Sequence, residues 1–435
     1  MKGRQRVRLW LQVAVLVSCS MVSAFVWGAN GEFPIIEAGV LPLRGVYIPE
    51  VEVYAKKGKR WIQLAHQIDE KNARGEFVLE GGLPFTANSD DGYFDKNDEL
   101  IVWSTDLGDA FVDEDVNERL VKNCRKLFRV DVKSKAQSIG SYLVKVARYP
   151  SVTSATDAAL VHFDAKRQYI STSDYKYEFN QSHPAMLGKI SFRDQSSSSE
   201  LLKDSSFVMP ISTPWYLPDM EFKQRDFTSE VESWRVGPIR TIVAVGVKYQ
   251  GFLGLIDLHL FSELVFYKNR LQIPTIIEFI FSPKDYLRIG SGVAYSLDFA
   301  DGREWKIHSN LAEFGESHRL RVEKNAGMET DPYWVRLTDG VRSILVEVKV
   351  DPRAVKVSPP PMLIHSEKLR SEALKKEFSW LGELSGNLGI YIDFSQVEKG
   401  EYQFGLDLTL GSEANGVQAL SGGIDSVWHQ LPLCR

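Results

Sequence analysis

His259–Phe281, HLFSELVFYKNRLQIPTIIEFIF, decides the fold class of this chain. Two runs rich in β-branched and aromatic residues, His259–Tyr267 and Ile273–Phe281, flank the polar Lys268-Asn269-Arg270. Successive side chains of a strand point to opposite faces, so Leu264, Phe266, Ile277 and Phe279 divide apolar surface between two sides of a sheet. A connection of a few residues reverses the chain, because parallel neighbours need a crossover of a dozen or more. The stretch therefore predicts two adjacent antiparallel strands covered, over part of their width, on both faces.

The same grammar extends in both directions. Upstream, Ser229–Val247 holds VESWRV and IRTIVAVGV around Gly237-Pro238 and reads as a further antiparallel neighbour with a bulge or bend, since proline cannot donate to a ladder. Downstream, Tyr295–Phe299 with Glu304–His308, and Tyr333–Leu337 with Val341–Val350, read as hairpins around Asp-Gly turns. Period-two patterns recur nearer the N-terminus in Val51–Tyr54, Lys126–Val132 and Tyr142–Ala147. The expected architecture is mainly β. A small N-terminal β-domain over about 32–150 carries an acidic loop, and a large antiparallel β-sandwich of the supersandwich kind follows over 160–435, with few helices. Ser151–Ala159, small and polar, marks the boundary. The clearest helical pattern is Ser366–Leu381, with Leu369, Ala373, Leu374, Phe378 and Leu381 on one face. It is a candidate cover for the sheet that holds His259–Phe281.

The chain opens with Lys2, Arg4, Arg6 and Arg8, an apolar run Leu9–Leu16, and then small residues. This is the layout of an export signal over residues 1–28. Val22-Ser23-Ala24 and Val26-Trp27-Gly28 both offer a processing site. Leu16-Val17-Ser18-Cys19 also resembles a lipobox, which would acylate Cys19, and an uncleaved Leu9–Trp27 would barely span a bilayer. The expected destination is the periplasm or the exterior, with membrane contact only through an acylated Cys19 or an uncleaved leader.

The chain has 435 residues, with 52 basic and 57 acidic side chains and a formal charge of −5. Loss of the leader removes four basic residues and no acidic ones. That balance argues against a nucleic-acid partner, which rewards a basic face. Apart from Cys19, the cysteines are Cys124 and Cys434. An oxidising compartment permits a disulfide between them, but with no sign of proximity the sequence favours two unpaired thiols.

The densest acidic stretch is Asn88–Glu99, NSDDGYFDKNDE. Calcium takes six to eight oxygen ligands on a tightly folded loop, which makes Asp90, Asp91, Asp95, Asn97, Asp98 and Glu99 candidate Ca²⁺ ligands. With Gly92 at the sixth position the EF-hand template fails, since Ala87 would be first and Ser89 third. The other reading is a solvated turn. Q-I-D-E (Gln67–Glu70) and D-D-G-Y-F-D-K-N-D-E-L-I-V-W (Asp90–Trp103) together resemble a group of exported bacterial proteins of uncharacterised activity. The later G-P-I-R-T-I (Gly237–Ile242) weakly extends the resemblance. It implies export and a β-rich fold, and no activity.

Ser421–Ser426, SGGIDS, has the letters of an ATP-pyrophosphatase loop without the α/β domain such a loop needs. The eight histidines lack zinc-binding spacing. Trp215 and Tyr216, in the Pro-bounded loop Thr213–Pro218, are candidate sugar-stacking rings. The leading expectation is an envelope protein that binds a glycan or another envelope protein. The alternative is a polysaccharide-active, lyase-like enzyme drawing on dispersed groups such as Tyr177, His183, Arg225 and Tyr249.

Overall fold

The computed structural model describes residues 33–38, 42–73, 75–82, 91–134, 137–150, 159–193, 198–216, 218–249, 258–279, 281–300, 305–314, 333–412 and 424–434. The leader, Cys19 and Asp90 lie outside them. The protein is mainly β, with large antiparallel sheets arranged as sandwiches and only short helices.

Two compact units share the described chain. The smaller is not a single N-terminal segment. To residues 19–162 it adds Arg235–Thr241 and 414–435. One of its sheets places Glu99–Trp103 between Pro34–Ala38 and His66–Asp69. The other runs Ile424–Leu431, Cys124–Ser134, Gln137–Ala147, Val51–Lys57 and Arg60–Gln63. Ile35, Leu100 and Val102 from the first sheet meet Val53, Phe128, Val130 and Val144 from the second in one core. The strand Ile424–Leu431 is an integral member. Its Ser426 and Trp428 donate to Glu37, a buried carboxylate that Tyr142 Oη also reaches at 3.3 Å. Burial pushes the Glu37 carboxyl up, against these three hydrogen bonds.

Cys124 and Cys434 form a disulfide, contrary to the sequence expectation of free thiols. Their Cα atoms stand 5.5 Å apart across 310 residues of sequence. Leu431, which ends its strand three residues before Cys434, is buried beside Leu127 and Leu143, and that packing brings the thiols together. Proximity set by a strand pairing this remote leaves no trace in cysteine spacing.

The larger unit holds two sheets. One runs Ala312–Glu313, Met362–His365, Leu388–Asp393, Gly292–Phe299, Ser198–Ile211, Lys189–Arg193, Tyr175–Glu178 and Tyr169–Ser171. The other runs Lys306–Ser309, Tyr333–Thr338, Arg342–Val350, Gly400–Ser412, Arg270–Phe279, Leu258–Tyr267, Arg240–Tyr249 and Phe227–Val236. The neighbours expected from His259–Phe281 are present, with Val265 opposite Gln272. Gly237-Pro238 is the reversal between two strands, not a bulge in one. The sheets share a core in which Phe266 meets Tyr177 at a ring separation of 5.0 Å and Phe279 meets Phe394 at 5.3 Å.

Two local expectations fail. Gly292–Phe299 does not fold back on the strand after it. It pairs with Ser198–Ile211 and Leu388–Asp393, while Lys306–Ser309 pairs with Tyr333–Thr338 in the other sheet. Most of Gly292–Phe299 is buried on both faces, which demands neighbours on both edges, whereas Lys306–Ser309 alternates exposed and half-buried residues, as an edge strand does. The helix expected over Ser366–Leu381 breaks into Ser366–Arg370, Glu372–Glu377 and a 3₁₀ turn Ser379–Glu383. Ser371 leaves helical geometry (φ −71°, ψ 112°), and its hydroxyl caps Leu374 N–H. Leu369, Trp380 and Leu381 then pack on Ile364 and Tyr391, so this segment covers the sheet of Met362–His365 and not that of His259–Phe281.

Candidate functional site

Three features in the described residues bear on function, and the acidic loop is the first. Its last two carboxylates are consumed by the fold. Asp98 is fully buried, and its two oxygens accept Lys71 N–H at 2.8 Å and Asp95 N–H at 2.6 Å. Glu99, also buried, accepts from Lys71 Nζ and from Arg240, each at 2.5 Å. Burial raises the Glu99 carboxyl, but the charges of Arg240 and Lys71 outweigh it and leave it below the usual carboxylate range. Asn97 donates its amide to the carbonyls of Lys71 (3.1 Å) and Asn72 (2.6 Å), and Asp91 accepts Tyr93 N–H at 2.9 Å in an Asx turn. Asp95 is exposed. Of the candidate Ca²⁺ ligands, Asp98 and Glu99 thus direct their oxygens to donors of the protein itself. Among the described residues no three carboxylate, His or Cys groups are placed to hold a metal ion.

The residues that carried the resemblance converge here. Gln67 Oε1 accepts the N–H groups of Ile239 (3.0 Å) and Arg240 (2.9 Å), and its amide donates to Asp69 at 2.9 Å. Arg240 Nε reaches Asp69 at 2.7 Å, and Arg235 reaches the other Asp69 oxygen at 3.1 Å. A Cβ on Gly237 would lie 2.1 Å from the Gln67 amide carbon, so a larger residue there would push Gln67 out of its hydrogen bonds. Q-I-D-E, N-D-E-L and G-P-I-R are parts of one buried lock inside the small unit.

A second polar cluster crosses one sheet of the large unit. Trp334, Glu347, Asp407 and Gln272 stand opposite one another on four neighbouring strands and share a face. Arg270 grips Asp407 with both Nε (2.6 Å) and its terminal nitrogen, and Gln272 adds a bond at 3.1 Å. Among the described residues, Glu347 has Lys349 Nζ at 3.4 Å on Oε2, and its buried Oε1 has no hydrogen-bond partner there. Burial, aided by the Asp407 charge and opposed by Lys349 and Arg270, pushes the Glu347 carboxyl up to about 7. An oxygen without solvent access cannot touch substrate, so the consequence is for stability. The folded protein holds this proton more tightly than the unfolded chain. Its stabilising effect is complete below about 4.5, the ordinary value, and is lost as pH rises through about 7. Denaturant titrations at pH 5 and pH 8 should differ by on the order of 3 kcal/mol from this group. Glu347→Gln should flatten the difference, and an unchanged pH profile in that variant would refute the assignment.

The third feature is the ring pair. Trp215 is 86 % exposed and Tyr216 is 61 % exposed, with centroids 5.7 Å apart and planes at 90°. Thr213 fixes the base of the loop, its N–H donating to Asp219 at 2.7 Å and its hydroxyl to Pro218 O at 3.1 Å. Next to it, Ser212 exchanges hydrogen bonds with Ser291 and accepts Arg288 N–H at 2.9 Å, tying the loop to the segment that presents the exposed Ile289. Of the dispersed groups, Tyr177 is fully buried, donating to Met186 O at 3.2 Å and accepting from Gly188 N–H at 3.1 Å. The Tyr249 side chain lies outside the described residues. Sequence reasoning missed Arg240, Glu347 and Asp407 as members of polar clusters.

No family model matches this chain, and no curated protein matches it. Among solved structures it is similar to a putative aldose 1-epimerase from Escherichia coli K12, with a TM-score of 0.29 and 10 % sequence identity over 56 % of this chain and 98 % of that one. A likeness this loose says nothing of what this chain binds or does.

Proposed function

We propose that this is an exported envelope protein that binds a glycan through Trp215 and Tyr216. The observation that carries the reading is the presentation of two large rings to solvent, at right angles, on a loop whose base is hydrogen-bonded on both sides. Aromatic side chains usually contribute by burying large apolar area, so leaving two adjacent rings in water costs solubility without stabilising the fold. The arrangement fits a surface on which a sugar's C–H face stacks on one ring while its hydroxyls reach the Tyr216 hydroxyl. The charged, apolar and small segments of residues 1–28 support export.

A glycan array with the purified protein should identify a ligand. Trp215→Ala/Tyr216→Ala should weaken that binding at least tenfold and leave the melting temperature within about 1–2 °C, as expected for exposed side chains. Unchanged glycan binding, or a large loss of thermal stability, would defeat the reading.

A further inference from the structure

A cavity of about 500 Å³ lies in the large unit against the strands Tyr169–Ser171, Tyr175–Glu178 and Lys189–Arg193. Tyr175 and Tyr177 are fully buried toward the core, so the alternate residues Lys176 and Glu178 face outward. The antiparallel register sets Tyr169 opposite Glu178 and Ser171 opposite Lys176, which gathers all four on that outer face. Arg167 and Arg193 complete a lining of three cations against one carboxylate.

The groups are held in place. Lys176 Nζ sits 2.7 Å from Glu178 and 4.8 Å from the centre of the Tyr169 ring. Arg193 is anchored by one terminal nitrogen to Thr172 O at 2.9 Å. Arg167 projects to solvent, its Nε 3.9 Å from Asp164. Asp164 accepts the amides of Lys166 and Arg167, both at 3.0 Å, and so fixes the turn that carries Arg167. In that turn Gln168 adopts φ 51°, a left-handed conformation that a residue with a Cβ adopts at a cost, and its carbonyl receives Phe179 N–H at 3.1 Å. A chain of net charge −5 thus concentrates cations in one cleft.

The geometry points to a binding site for the carboxylate-bearing ring of an acidic saccharide, a uronate. The guanidinium of Arg193, steered by Arg167, receives the carboxylate in charge-assisted hydrogen bonds. The Tyr169 ring supplies an apolar wall, and Gln168, Ser171 and Glu178 offer partners for hydroxyls. The volume lies within the roughly 300–1,000 Å³ of small-molecule sites. A bare anion site needs no such wall and no carboxylate in its lining. The choice of a sugar rests on the glycan reading above, while the cleft stands on its own geometry and is separate from Trp215 and Tyr216.

Calorimetric titration with a digalacturonate, with the neutral digalactoside and with inorganic phosphate tests this. The expected result is binding of the digalacturonate that weakens severalfold between 20 and 200 mM salt, with at least tenfold weaker binding of the other two. Arg193→Met should weaken it tenfold or more, with circular dichroism unchanged, and Arg193→Lys should recover part of that effect. The titration is read on Arg193 alone and the array on Trp215→Ala/Tyr216→Ala alone, so failure of the cleft and failure of the ring site are distinguishable. Equal binding of the neutral digalactoside, full competition by phosphate, or wild-type affinity in folded Arg193→Met would overturn the proposal.

Discussion

Arg240→Met should destabilise the small unit by about 3–5 kcal/mol, the cost of breaking a buried ion pair by removing one partner. Arg240 is fully buried and bridges two carboxylates, Asp69 at 2.7 Å and Glu99 at 2.5 Å, on adjacent strands. Methionine fills similar volume, so the loss would come from charge and hydrogen bonding rather than from a cavity. Arg235 and Lys71 remain beside the two acids and keep the effect from growing larger. Hydrogen exchange at the amides of Leu100–Trp103 would report the loss directly, as faster opening of the strand that carries Glu99. Arg240→Met combined with Glu99→Gln should recover part of it, because the amide leaves one fewer uncompensated charge. Protection within a factor of about five of the parent, corresponding to about 1 kcal/mol, would show that the lock is not what holds this unit together.

The second large effect is that of Cys434→Ser. The bond closes 310 residues of chain, and in the chain-entropy account a loop of that length contributes about 6 kcal/mol by restricting the unfolded state. Measured effects often fall short of that account, and a loss of about 2–5 kcal/mol is expected. Calorimetric melting of the parent protein with and without reductant, beside the Ser variant, is the check. Reduction should lower the parent's transition to that of the variant and leave the variant unmoved. Two titratable thiols in the folded, unreduced protein would overturn the assignment.

The fold class was readable because strand alternation is local: Leu264 and Phe266 announce their face within three residues. What the sequence could not supply was pairing at a distance. The hairpin reading of Tyr295–Phe299 failed because a strand buried on both faces draws its neighbours from far away in sequence on either side, Ser198–Ile211 before and Leu388–Asp393 after. Glu347 and Asp407 look like ordinary charges in alternating strands until register sets them opposite each other. The cleft was hidden for the same reason, since Arg167, Lys176 and Arg193 follow no spacing rule. The acidic loop stands out by its composition, but the partners of its last two members, Lys71 and Arg240, lie outside it and left no local signal. One cue was present. Arg240 is the one charged residue in the run IRTIVAVGV, and a lone cation in a buried strand needs carboxylates supplied from elsewhere.

The composition of the small unit sets an order of events for the growing chain. Its core begins with residues made early, yet the strand beside Cys124–Ser134 is Ile424–Leu431, and Cys124 finds its partner at Cys434. All of residues 242–413, which belong to the large unit, are made between these partners. A nascent chain therefore carries an open edge along Cys124–Ser134 throughout that interval, a surface prone to mispairing. The large unit can mature while the first-made unit is still waiting, so the part begun first is the part completed last, and the disulfide would record its completion.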